Sequence, residues 1–187
     1  MTRTGRSGPL LPGLPLLLVA ALVVALAPVT QAQQFVTTGR DTLRGLPGVE
    51  VVIEPFDADL ARGGLSVAAI HQAVVDQLQA ARVPVFTSQR RNPSPAQPYL
   101  YVAVTGLSFD AGAAWAVALQ VEVRQTVRST VTESRIVDAV TWDQHTVIVL
   151  PTRELPNLKG EIVPLVAAFV ADWTSTHPPA SRAAPPR

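Results

Sequence analysis

Only three side chains in this sequence have an ordinary pKa near neutral pH and so suit the base of a nucleophilic site, because the chain has three histidines and no cysteine. Among them, His145 has a carboxylate at a useful spacing, since Asp143 lies two residues before it. Residues two apart on a strand share a face, so Asp143 could orient the imidazole for general base catalysis. The pattern permits a small hydrolase, although an ordinary solvated strand carries the same pattern.

The motifs that would complete such a site do not occur. The sequence has no Gly-x-Ser-x-Gly or Ser-x-x-Lys pattern to supply a nucleophile, and no His-Glu-x-x-His pattern to bind zinc. Asp57 and Asp59 form a pair of carboxylates in a loop, and such pairs more often serve solubility and helix starts. We therefore predict a protein that is not an enzyme, with no catalytic residue, no metal site and no cofactor.

Carbohydrate binding is a second chemistry to consider, because aromatic rings can line a sugar site. Trp115, Trp142 and Trp173 each occur within an apolar pattern, which favours a place in the core. Paired carboxylates could cleave a glycosidic bond, but no two of the acidic residues stand out by spacing. A carbohydrate-binding domain therefore stays an alternative, together with the hydrolase that uses Asp143 and His145.

The element that must position most of these groups is a long strand over residues 115–128. Its odd-numbered residues are apolar apart from Gln125, and its even-numbered residues become more polar along its length. Side chains alternate between the two faces of a strand, so one face of this strand is predicted to be buried and the other exposed. The apolar positions are Trp115, Val117, Leu119, Val121, Val123 and Val127.

The remaining elements follow from the same reasoning. An amphipathic helix capped by Ser66 has its apolar stripe at 70, 73, 74, 78 and 81, and it follows a predicted loop over 57–64. A closing helix over 159–174 contains Pro164, which should shift its start or kink it. Strands are predicted over 49–56, 83–87, 99–109, 115–128 and 136–150, the last with a bulge near 143–144.

The predicted order is β-α-β-β-β-β-α, which gives an α+β fold. We expect a two-layer sandwich with a mixed, mostly antiparallel sheet of about five strands and two helices on one face. The opposite face, called the open face from here on, is then uncovered. Tyrosines and mixed charges on that face suit partner docking, but they equally suit a solvated sheet. The candidate binding residues are Tyr99, Tyr101, Gln120, Glu122, Arg124 and Arg128.

The ends of the chain predict export. Arg3 and Arg6 precede an apolar run, and small residues follow up to Ala32, which is the pattern of a signal peptide over 1–32. A retained membrane anchor is the alternative, but Pro12 and Pro15 interrupt the run. We predict a leader over 33–48, a single domain over 49–176, and a disordered Pro/Ala-rich tail over 177–187.

Charge and export together define the expected partners. The net charge of +1 and the scattered basic residues do not predict nucleic-acid binding. After cleavage of the signal peptide, we expect a periplasmic or secreted protein that does not insert into the membrane. Its expected partner is an envelope protein, or a second copy that associates through the exposed strands.

The element order resembles small periplasmic α/β domains of bacterial envelope proteins, such as the amino-terminal domain of TolB and CsgG-like or LpoB-like accessory proteins. The shared features are the signal peptide, an early β-α-β unit, long strands and a closing helix. The segments 43–55 and 99–102 also resemble an uncharacterised family of secreted bacterial proteins. The second resemblance implies no known activity, and we expect a binding or assembly role in the envelope. The chain lacks the cysteine that anchors the lipoprotein members.

Overall fold

A five-stranded sheet organises this protein, whose computed structural model describes residues 39–178. The strands are β1 (Val49–Ile53), β2 (Val85–Phe86), β3 (Tyr99–Phe109), β4 (Ala114–Arg128) and β5 (Arg135–Pro151). The α-helices are α1 (Ala58–Arg62), α2 (Val67–Ala80) and α3 (Lys159–Thr176). Shorter 3-10 helices span Gly39–Leu43, Asp110–Gly112 and Thr152–Asn157. The predicted α+β class with a mixed sheet is confirmed.

The spatial order of the strands is β2-β1-β3-β4-β5. β1 pairs in parallel with both β2 and β3, whereas β3, β4 and β5 form an antiparallel meander. Pro84 precedes β2, which lies at one edge of the sheet, as expected for a segment that lacks one backbone donor. The long strand β5 forms the other edge.

Burial alternates along β4 as the sequence predicts. The odd-numbered side chains from Trp115 to Val123 are buried, and they form one core with side chains from the helices. Gln125 interrupts the apolar series and is buried as well. Its Nε2 donates to Thr141 Oγ1 at 2.9 Å and to the Thr42 carbonyl at 3.4 Å, so its amide hydrogens have acceptors.

The helices supply the second layer. Ser66 Oγ accepts a hydrogen bond from the Ala69 N–H at 3.3 Å, which confirms it as the N-cap of α2. Helix α3 begins at Lys159, as predicted, and continues through Pro164, so the proline does not shift the start of the helix. Buried residues of both helices pack on the odd-numbered face of β4: Ile70, Val74 and Leu78 from α2, and Ile162, Val166, Phe169 and Trp173 from α3.

Two local predictions are wrong. The segment predicted as a loop over 57–64 contains helix α1, because Leu60 is buried against Gly106. A side chain at Gly106 would come within 2.8 Å of Leu60 Cδ2. The bulge expected near residues 143–144 occurs earlier, where the β4–β5 register shifts opposite Thr141 and again between Ile136 and Ala139.

The ends of the described range belong to the packed domain. Leu43, within the predicted leader, is fully buried. His177, the first residue of the predicted tail, stacks on Trp173 with ring centroids 4.1 Å apart, and its Nε2 lies 3.1 Å from the Leu46 carbonyl oxygen. The predicted signal peptide lies outside the described residues. Within 39–178, no helix combines the length and apolarity needed to cross a membrane.

Candidate functional site

The open face carries four of the six predicted binding residues as one contact group. The β3–β4 register places Tyr99 opposite Arg124 and Tyr101 opposite Glu122, with all four side chains on the same face. We call these four residues the polar cluster. The described helices pack on the opposite face, so the sheet itself holds the cluster in position.

Arg124 is the centre of the polar cluster. Its Nε donates to Glu122 Oε2 at 2.8 Å, and its Cζ lies 3.9 Å from the centroid of the Tyr101 ring. The Glu122 side chain is 11% exposed and that of Arg124 is 29% exposed. The expectation that Glu122 faces solvent is therefore wrong: Arg124 and Tyr101 cover it, and it acts as a support for the guanidinium.

This environment raises the pKa of Arg124. Burial alone would lower that pKa, but the hydrogen bond and charge of Glu122 outweigh burial, and Tyr99 and Tyr101 add to the increase. The guanidinium is fixed by an ion pair on one side and an aromatic face on the other. Because the Arg124 side chain is already ordered, binding of a partner there would cost little of its conformational entropy.

Tyr99 links the polar cluster to β5. Its ring meets Tyr101 edge-on at 6.4 Å, and its hydroxyl donates to Asp138 Oδ1 at 3.2 Å. Asp138 has a φ of 55° and lies in the irregular stretch of β5. Because the irregularity decides which way this side chain points, no sequence pattern indicated that Asp138 belongs beside Tyr99.

Both tyrosines hold their protons more tightly than a free tyrosine. Burial raises the pKa of Tyr101 to about 12, and the nearby carboxylate of Glu54 contributes in the same direction. Burial also raises the pKa of Tyr99, with Asp138 adding to the increase and Arg124 opposing it. Both phenols are therefore neutral hydrogen-bonding groups at physiological pH.

We predict that Tyr101 titrates near pH 12. The chain has two tyrosines, so Tyr99→Phe leaves Tyr101 as its sole phenol. Phenolate absorbance of the folded variant should have its midpoint at about 12, against about 10 in denaturant. The Tyr101 phenol ionises at a lower pH in the unfolded chain than in the folded protein. Its contribution to the free energy of unfolding is therefore fully present below pH 10 and is lost as the pH rises towards 12. A midpoint near 10, with unchanged circular dichroism, contradicts the environment described for Tyr101.

The other two predicted binding residues lie outside the cluster's contacts. Gln120 is exposed one row further along the open face, opposite Ala103 on β3 and His145 on β5. Arg128 pairs in register with Arg135 at the far end of β4 and lines a different depression. Gln120 therefore borders the polar cluster, and Arg128 does not.

A cavity of about 520 Å³ adjoins the polar cluster at Tyr99. Its lining contains charges of both signs: Arg91 and Arg135, and the carboxylates of Glu50 and Asp138. Sequence reasoning missed this cavity, because its walls come from β1, the loop after β2, β3, β4 and β5. Its volume and charged walls leave room for a polar side chain of another molecule beside Tyr99.

Asp143 and His145 form a pair on the open face, with His145 Nδ1 3.4 Å from Asp143 Oδ2. Their register partners on β4 are Glu122 and Gln120, so neither residue facing them supplies a hydroxyl or thiol nucleophile. Both side chains are exposed. The pair has the spacing that the sequence predicts, and the hydrolase interpretation stays a hypothesis.

The three tryptophans belong to the core, as their apolar patterns predicted. All are buried, and Trp142 Nε1 donates to Asp172 Oδ2 at 2.9 Å. None presents its ring to solvent as a platform for a sugar. Among residues 39–178, no group of three or more His, Asp or Glu side chains is placed to hold a metal ion.

Neither a protein-family model nor a curated protein matches this chain. The resemblance to periplasmic envelope domains and to secreted bacterial proteins therefore stays a prediction from the order of elements and two short segments. What the protein does must be inferred from the open face itself.

Proposed function

We propose that this protein is an exported, non-catalytic binding or assembly module of the bacterial envelope, and that a partner protein docks on the open face at the polar cluster. The main support for the proposal is the position of the Arg124 guanidinium. It is held between Glu122 and Tyr101 on a face that the described helices leave uncovered. Tyrosine and arginine are enriched at the energetically dominant positions of protein interfaces.

The chemistry of the cluster defines the partner. Glu122 neutralises much of the Arg124 charge, so the cluster favours a polar or aromatic group over a strongly acidic segment. The adjoining cavity offers a place for one longer side chain beside Tyr99. We therefore propose a folded protein surface as the ligand, with one anchoring side chain in the cavity.

The export predicted from the sequence supports the envelope location in this proposal. The predicted signal peptide over 1–32 precedes the domain, and the sequence lacks cysteine, so the domain needs no disulfide after secretion. The hydrolase that uses Asp143 and His145 has weaker support, because the facing residues on β4 are Glu122 and Gln120. We keep it as the alternative.

Photo-crosslinking in the native cell tests the proposal. A photoreactive residue at Gln120, which is exposed at the border of the cluster, should give one discrete adduct with another envelope protein. Arg124→Ala should reduce that adduct at least about tenfold, the effect of losing a hot-spot side chain. The same probe at Gln72, exposed on helix α2 in the other layer, should give none.

Two results would count against the proposal. One is the lack of any adduct from Gln120 in a protein that is exported and folded. The other is an adduct that Arg124→Ala leaves unchanged. An adduct at twice the mass of the chain that Arg124→Ala reduces would replace the envelope partner at the cluster with a second copy of this protein.

A further inference from the structure

The end of the open face away from the polar cluster is apolar. The registers align three rows across β3, β4 and β5, and no residue in them carries a charge. Alanines of β4 lie between larger side chains of β3 and β5. The rows are Thr105–Ala118–Val147, Leu107–Ala116–Val149 and Phe109–Ala114–Pro151, and we call them together the apolar surface.

The exposure of the apolar surface is high for side chains of this type. Leu107 is 71% exposed, Val147 69%, Val149 68% and Phe109 43%. If each large side chain offers about 150–200 Å² when free, these four leave on the order of 400 Å² of apolar area in water. This area is about that of the largest apolar patch on a typical soluble monomer, and such a patch is often functional.

The lack of charge limits what could cover the apolar surface. An anionic membrane surface is attracted by lysine and arginine, and the three rows contain neither. The nearest cation along the chain, Arg153, pairs with Glu154 at 3.7 Å. The surface that covers these rows should therefore be a protein surface that is itself flat, apolar and uncharged.

A second copy of this chain has such a surface. We propose that two copies pack open face against open face and overlap at their apolar surfaces. The two-fold axis that relates them lies between the two sheets and runs perpendicular to the strands. Sheets pack in this way about 10 Å apart in β-sandwiches. Because the overlap is confined to the apolar ends, the two polar clusters point in opposite directions and stay accessible.

The area available sets the strength of the association. A stable dimer of standard size buries about 800 Å² per partner, roughly twice what the four large side chains expose. The alanines and the row edges add to the contact, but the interface is at the small end of the range. We therefore expect a reversible dimer with a dissociation constant on the order of micromolar or weaker.

Strand β5 offers another way to pair, because it is a sheet edge with unpaired backbone groups. Pairing of two β5 edges would involve Val147 and Val149 but would leave Leu107, two strands away on β3, outside the contact. Leu107 therefore distinguishes the two arrangements.

Sedimentation velocity of the exported protein, purified after signal-peptide cleavage and measured over a concentration series, tests the proposal. The protein should shift from monomer to dimer as its concentration rises, and Leu107→Lys should weaken the dimer at least about tenfold. Val131→Lys is the matched control, because Val131 is 90% exposed in the turn before β5 and should leave the dimer unchanged. Circular dichroism should show all three proteins equally folded.

Three outcomes would overturn the proposal. The protein could stay monomeric at every concentration, or its dimer could be insensitive to Leu107→Lys, which would indicate edge pairing. It could also stay monomeric while binding phosphatidylcholine vesicles in a Leu107-dependent manner, which would make lipid the occupant. This inference does not rest on the proposed partner site, because the Gln120 adduct should persist in Leu107→Lys.

Discussion

Replacing Phe169 with alanine should cost about 3–5 kcal/mol of unfolding free energy, a large part of what a domain of this size has. Phe169 is fully buried on α3, with its ring centroid 5.3 Å from that of Trp142 and 5.7 Å from that of Trp173. Trp142 is held by its hydrogen bond to Asp172 and Trp173 by its stacking on His177, so we expect neither ring to fill the cavity. Urea unfolding followed by tryptophan fluorescence measures the loss.

A control on the same helix separates core packing from helix propensity. Val163→Ala removes an exposed side chain from α3 and should change the unfolding free energy by less than about 0.5 kcal/mol. A cost below about 1.5 kcal/mol for Phe169→Ala would mean that the aromatic cluster is not packed as described.

The second large effect is expected at Gly48, immediately before β1. Gly48 has a φ of 150°, and a Cβ there would lie 2.5 Å from the Pro84 carbonyl oxygen and 2.8 Å from the Phe86 ring. Because the Val49 N–H donates to the same Pro84 oxygen at 3.0 Å, the clash would disrupt the start of β1–β2 pairing. Gly48→Ala should cost about 2–4 kcal/mol, measured by urea unfolding.

Two further glycines make matched controls for Gly48. Gly45 has a φ of 76° and open space where a methyl group would lie, so Gly45→Ala should cost only the backbone strain, about 1 kcal/mol. Gly160 lies in α3, also with open space, and Gly160→Ala should be neutral or stabilise by up to about 1 kcal/mol. Equal effects at Gly48 and Gly45 would contradict the steric argument.

The sequence was enough to predict the sheet and its two faces. The period-two pattern of 115–128 identified β4, and the cap at Ser66 identified the start of α2, because both signals are local. Alternation also predicted that Tyr99 and Tyr101 share one face of β3, and the β3–β4 register places them on the open face. These predictions needed no knowledge of distant contacts.

What the sequence could not predict depends on pairs of residues far apart in the chain. Helix α1 is too short to be stable alone, and it forms because Leu60 fits against Gly106. Glu122 occupies a polar position of β4 but is covered by Arg124 and Tyr101, which alternation alone cannot reveal. His177 belongs to the domain because Trp173 and Leu46 hold it, although its neighbours in sequence are typical of a tail.

The order in which the chain is synthesised has a consequence for this fold. β1 is made first, but one of its sheet neighbours, β3, follows nearly fifty residues later, and the α3 side chains that fill the core come last. The β3–β4–β5 meander has mostly local partners and can form as it emerges from the ribosome. The core beneath β1 and α2 is completed only when the α3 side chains, Phe169 among them, have been translated. The domain can therefore reach its full set of core contacts only late in its synthesis, once α3 has been made.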